Sequence, residues 1–220
     1  MAVAELTSSH SPIPRGRHAP PLEIRLQVQK HRLFDAAAAV FSRSGYAEAS
    51  AEAISREAGM SKATFYEHFA NKEECLVALF EHASSRLLDG LVTASRGADR
   101  DYEDRHRAGL RAILDAIDSN PTVAQATFVE TVGAGPRIAE LRDTAMTKIA
   151  QVMYEQTVRA AELTGGPAYA SPDDAFAIVG ATFELVSRQL RTGQPARVLD
   201  LQPLIERLIL GLLSQPPSDT

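Results

Sequence analysis

The residues of this 220-residue chain best placed to do chemistry lie in one run, Ser50 to Lys72, SAEAISREAGMSKATFYEHFANK. Ser50, Ala51, Ser61, Lys62, Ala63, Thr64, Tyr66, Glu67, His68 and Lys72 set two ammonium groups, several hydroxyls, an imidazole and one carboxylate among small side chains. That mixture suits contact with a polyanion better than it suits catalysis. Lys62 and Lys72 can meet phosphates. Thr64 can touch a phosphate or a thymine methyl. Ser50 can bond a phosphate through its hydroxyl, cap a helix, or do both. Glu67 lowers affinity for a polyanion unless it accepts from cytosine N4. It is read here as a group that recognises cytosine or excludes other sites.

Two short helices would have to position these groups. Ala51, Ile54 and Ala58 recur at i, i+3, i+7 and make one apolar face. Gly59 can end that helix in the left-handed conformation. Ser61 is a second N-cap, and Phe65 and Phe69, at i and i+4, point inward. Lys62, Thr64, Tyr66, Glu67 and His68 mostly take the other sides. Two helices crossing at small residues, with glycine in the turn, describe a helix-turn-helix. Its second helix would enter the major groove of duplex DNA. The spacing also fits a plain helical hairpin with a solvated outer face.

The run AISREAGMSKATFYEHFANKEE resembles the DNA-binding signature of the TetR (tetracycline repressor) family of transcriptional regulators. The F-x-x-x-G-Y from Phe41 to Tyr46 is similar to the end of that family's preceding helix. The likeness extends over roughly Leu26 to Leu79. It implies an all-α homodimer on a pseudo-palindromic duplex operator, usually a repressor, released by a small-molecule effector in the C-terminal domain. Tyr66 and His68 match family positions that touch backbone or bases. Glu67 departs from the basic or aromatic residue common there. The family's first helix touches the DNA backbone at its start. Its last two helices build a four-helix dimer interface, which here points to Val186, Leu190, Leu204, Leu208 and Leu212.

The net charge of −5 divides unevenly. Residues 1–72 hold nine Lys/Arg against seven Asp/Glu, and the remainder holds fourteen against twenty-one. Local positive charge is what phosphate contacts require. The single Cys75 excludes an internal disulfide and fits a reducing cytosol. At a helix start its thiol could be acidified into a redox sensor, or it could pack as a small hydrophobe. No apolar run approaches the ~18 residues of a membrane span. The N-terminus lacks the apolar core of a signal peptide, so a cytoplasmic protein is expected.

Residues 1–22 read as a flexible basic arm, with Arg15, Arg17 and His18 near its end. Such an arm lies along phosphates, enters the minor groove, or merely solubilises. Residues 23–72 read as the three-helix head and 73–220 as a helical ligand-binding and dimerisation domain. Apolar periodicity predicts helices over 23–44, 72–92, 102–117, 122–132, 137–163, 173–190 and 199–213, and no strand. Phe128, Met146, Met153, Phe176 and Phe183 could enclose an apolar or amphiphilic effector or simply fill the core. Glu130, Thr131, Arg142 and Tyr154 could orient it. No H-E-x-x-H, P-loop, C-x-x-C or G-x-S-x-G is present. No enzyme, metal or cofactor is therefore expected, and His82 and His106 read as surface histidines. The rival reading is a helical bundle that binds an apolar ligand or a partner protein without DNA.

Overall fold

Helix α1 (Leu22–Glu48) carries an almost unbroken apolar stripe, with Leu33, Phe34, Ala36, Ala37, Ala38, Val40 and Phe41 buried along it. Gly45, at φ 77° and ψ 157°, interrupts it where the sequence places its end. In this computed structural model, which describes residues 21–95 and 102–214, α2 (Ala51–Glu57), α3 (Lys62–His68) and α4 (Lys72–Ser95) follow. Asn71 caps α4, its Oδ1 accepting from the Glu74 N–H at 2.9 Å. Glu73 and Glu74 fill the first turn, where carboxylates complement the helix dipole. Leu33, Phe41, Ile54, Phe65 and Leu76 are fully buried and form the core beneath α2 and α3.

The chain divides into two units, Met1–Leu79 and Phe80–Thr220. The division lies inside α4, further along than the boundary expected at Lys72. The reason is packing: Cys75, Leu76 and Leu79 are buried and belong with the first unit.

Cys75 is not a sensor. It is fully buried, and burial pushes its thiol up to about 12, only partly offset by Lys30. A neutral buried thiol is a poor nucleophile. Iodoacetamide at pH 8 is expected to leave Cys75 unmodified in the folded protein and to alkylate it in denaturant, as read by intact mass. Rapid alkylation of the native chain would show that the site opens.

The second unit is built from α5 (Tyr102–Asp118), α6 (Pro121–Ala124), α7 (Pro136–Thr164), α8 (Pro172–Thr192) and α9 (Gln202–Leu212). A full capping box starts α8, with Ser171 and Asp174 exchanging side-chain-to-backbone bonds. The helix expected over 122–132 is shorter than that and gives way to a π-helical turn, Gln125–Val129. Thr127 Oγ1 donates back to the Val123 carbonyl at 2.8 Å, and Thr131 Oγ1 to that of Thr127 at 2.7 Å. Such back-bonding competes with the ordinary ladder. The Glu130 N–H then reaches Gln125 O at 3.1 Å, the wider i→i+5 bond. One strand pair was not expected: β1 (Ala168–Tyr169) lies antiparallel to β2 (Leu213–Ser214). Two residues leave no room for an alternating pattern to show. Among the described residues no helix is long and apolar enough to cross a membrane, and no group of three or more His, Cys, Asp or Glu could hold a metal ion.

Candidate nucleic-acid interface and ligand cavity

Each joint of the head is fixed by a local bond. Ser50 Oγ accepts from the Ala53 N–H at 3.1 Å and starts α2. Gly59, at φ 64°, turns the chain. In that turn the Met60 N–H bonds Ser55 O at 2.9 Å. Arg32, reaching over from α1, donates to the Ala58 carbonyl at 3.0 Å and ties the end of α2 down. Ser61 Oγ accepts from the Thr64 N–H at 3.0 Å and starts α3. Phe65 and Phe69 are buried, with ring centroids 5.6 Å apart, and Phe34 lies 5.9 Å from Phe69.

With that face pinned inward, α3 presents Lys62, Ala63, Tyr66 and Glu67 outward, all exposed. Ser50 and Ser61 are exposed beside them, and Ala51 and Thr64 are half-buried. The Lys62 side chain is 56% exposed and lies 3.6 Å from Glu52, a contact too solvated to hold it. Tyr66 is 50% exposed although its ring meets Phe65 edge-on at 5.5 Å. His68 is half-buried, with Nε2 3.3 Å from Gln29 Oε1. Burial lowers its pKa, Glu67 opposing and Lys30 adding to the shift. Near neutral pH His68 is therefore an uncharged hydrogen-bonding group, not a cation.

Lys72 corrects the sequence reading. Its ammonium donates to the carbonyls of Tyr46 at 2.8 Å, Ala47 at 2.7 Å and Ala49 at 3.0 Å. It also sits 4.7 Å from the centre of the Tyr46 ring. An ammonium has three protons, and all three are used. Lys72 neutralises carbonyls that the end of α1 leaves without intrahelical partners. It is a clamp rather than a phosphate contact. Residues 1–20 of the basic arm lie outside the described residues; past them, Lys30 and His31 on α1 are exposed.

The second unit encloses a cavity of about 620 Å³ between α5, α7, α8 and the Phe80–Val92 part of α4, with the π-helical turn in its wall. That volume lies within the ~300–1,000 Å³ usual for small-molecule sites. Phe128, Met146, Met153 and Phe183 line it. Phe176 does not; it is half-buried and packs on the core. None of Glu130, Thr131, Arg142 and Tyr154 lines it either. The polar lining comes from residues the sequence did not single out for it, among them Arg105, Gln156 and Arg159, together with His106. His106 is no surface histidine: burial, reinforced by Arg105, lowers it to about 4.

A family model described as bacterial regulatory proteins, tetR family, matches residues 33–79, which contain all of α2 and α3. The helix-turn-helix head of this chain is thus similar to that of the tetR family. The chain is 31% identical over 125 residues to the HTH-type transcriptional activator FasR of Mycolicibacterium smegmatis, covering 57% of this chain and 54% of FasR. It is 32% identical over 129 residues to the HTH-type transcriptional regulator EthR of Mycobacterium tuberculosis, covering 56% of each. The chain thus spans about half the length of these curated relatives. The transcriptional regulator FadR of Bacillus subtilis, solved in complex with stearoyl-CoA, shares the fold with a TM-score of 0.71 at 16% identity, over 82% of this chain and 98% of that one.

Of the five residues assigned to a subunit interface, Leu204 and Leu212 are exposed and Leu190 and Leu208 half-buried. Val186 is removed from that set, because it is fully buried in its own core. Leu210, 41% exposed on α9, was not singled out and joins the outward face.

Proposed function

We propose that this chain is a DNA-binding transcriptional regulator. Two copies bind a pseudo-palindromic operator, and a small apolar or amphiphilic effector in the second unit releases them. The observation that carries this is α3: its outer face keeps Lys62, Ala63, Tyr66 and Glu67 open while Phe65 and Phe69 hold it in place. Helices that read base edges need this arrangement, a fixed inner face and a polar outer one. The outward leucines of α9 suit a two-fold contact in which the same patch serves both subunits. Two heads so joined would read half-sites about one helical turn, ~34–36 Å, apart.

The cavity supplies the effector site. FadR of Bacillus subtilis was solved with a long acyl thioester, which supports a chain-like effector here. An effector shifts the protein between states only through unequal affinity for them. It must therefore bind better to the arrangement of heads that misses the half-site spacing. Repression lifted by the effector is the simplest outcome of that scheme.

Selection of bound duplexes from a random pool, followed by binding across a salt series, tests the proposal. A two-fold symmetric site should emerge, with log affinity falling linearly against log salt. Lys62→Gln should reduce the magnitude of that slope by about one, uniformly across sites. No enriched sequence and a flat salt profile would overturn the proposal and leave ligand binding without DNA as the function.

A further inference from the structure

We infer that Glu67 fixes one base of each half-site, its carboxylate accepting from the N4 amino group of a cytosine in the major groove. This rests on the reading of α3 as the helix that meets DNA, and adds which residue selects a base and which base it selects. Phe65 is fully buried and marks the inner side of α3. At about 100° of turn per residue, Ala63 and Glu67 each stand about 160° round the helix from it. They are therefore the middle line of the outer face, and both are exposed. Lys62 and Tyr66 form one flank, Thr64 and His68 the other. A helix laid in a groove, its inner side held away, turns its middle line to the base edges and its flanks to the phosphates. The middle line of α3 thus carries one polar side chain, and that side chain is an anion.

Long side chains on a helix lean toward its N-terminus. In a groove, that lean takes the Glu67 carboxylate toward Ala63, one turn earlier, whose methyl group leaves it room. This is the part of a recognition helix that meets base edges. Among the described residues Glu67 makes no hydrogen bond or ion pair, whereas Glu52 lies 3.6 Å from Lys62 and Glu57 2.9 Å from Arg43. An unpaired carboxylate costs affinity on a polyanion unless the DNA supplies a donor. When ionised it can only accept. In the major groove guanine offers two acceptors, N7 and O6, and thymine offers O4 and a methyl group. Adenine sets its N6 donor beside N7, so one carboxylate oxygen meets a lone pair. Cytosine offers a donor with no acceptor of its own beside it. Glu67 therefore favours cytosine and disfavours the other three bases, attraction and repulsion acting at the same position.

The test uses the full chain. A pool of random duplexes is selected in parallel by the wild type, Glu67→Ala and Glu67→Gln. Glu67 is exposed, so both variants should keep the head's urea transition. The wild type should enrich a cytosine at one position of each half-site. Glu67→Ala should leave that position degenerate and the others unaltered. Glu67→Gln, which keeps an acceptor and gains a donor, should admit adenine there, through N6 and N7. A second measurement replaces that cytosine, in one half-site, with pyrimidin-2-one, which is cytosine without its amino group. The wild type should lose about tenfold in affinity, and Glu67→Ala less than about twofold. The same selected bases for all three proteins, an even change of affinity at every base in Glu67→Ala, or an equal loss on pyrimidin-2-one by wild type and Glu67→Ala would each overturn the inference. In those outcomes a site has been enriched, and the regulator reading stands. Enrichment of no site by the wild type counts against the regulator reading itself and takes this inference with it.

Discussion

Phe65→Ala is expected to unfold the DNA-binding head and abolish operator binding while the second unit keeps its own melting transition. Phe65 has no exposed surface. Its ring packs 5.6 Å from Phe69 and 5.5 Å from Tyr66, and Phe69 continues the contact to Phe34 of α1. Truncating a buried phenylalanine costs about 3–5 kcal/mol, through lost transfer energy and an unfilled cavity. At ~0.05–0.15 kcal/mol per residue a head of this size has roughly 3–9 kcal/mol of stability, so one such loss removes a large part of it. The core of the second unit, with Leu110, Leu114, Ile178 and Ile205, does not include Phe65. Urea titration followed by circular dichroism should show an early transition for the variant and an unshifted late one. Retained operator affinity with a wild-type melting profile would mean that α3 is not seated by this ring.

What could be read from the sequence was local. Ser50, Ser61 and Asn71 act on backbone groups within three residues, and the structure shows each bond. Gly45 and Gly59 take positive φ where the helix pattern stops. The head's outer face followed from these, because a helix with both ends and its inner side fixed has no freedom left. Contacts between distant segments were not legible. Arg32 holds a carbonyl at Ala58, and Lys72 holds carbonyls at 46, 47 and 49. No spacing rule relates such pairs, and a lysine beside a recognition helix looks like a phosphate contact until its partners are seen. The cavity was half legible for a similar reason. Helical period shows which side of α7 or α8 is apolar, but a side facing a void and a side facing a neighbour carry the same residues. Phe176 and Phe183 are both apolar residues of α8, yet only Phe183 reaches the cavity. Arg105 and Arg159 were missed as lining residues because they are distant in sequence and each looks like ordinary solvated charge.

Lys72→Met is expected to weaken the head without changing how salt affects its binding to DNA. In the structure the ammonium makes three bonds to main-chain carbonyls at the end of α1 and its C-cap Ala49, and lies against the Tyr46 ring. Hydrogen bonds from charged groups contribute about 1.5–3 kcal/mol each at most, and Lys72 is only half-buried. A total loss of ~1–3 kcal/mol is therefore expected. Methionine keeps the aliphatic stem but supplies no donor, so the carbonyls would turn to water. Apparent operator affinity falls because fewer heads are folded, an effect that stabilising osmolytes should reverse. The slope of log affinity against log salt counts phosphates neutralised. It should match the wild type, in contrast to Lys62→Gln. Lys72→Arg should recover part of the loss, since a planar fork cannot aim at three converging carbonyls as a compact ammonium does. If instead the slope falls by about one and the head's urea midpoint does not move, Lys72 leaves its carbonyls for phosphate when DNA arrives. The assignment of Lys62 and Tyr66 would stand, but the clamp would then be a feature of the free protein only.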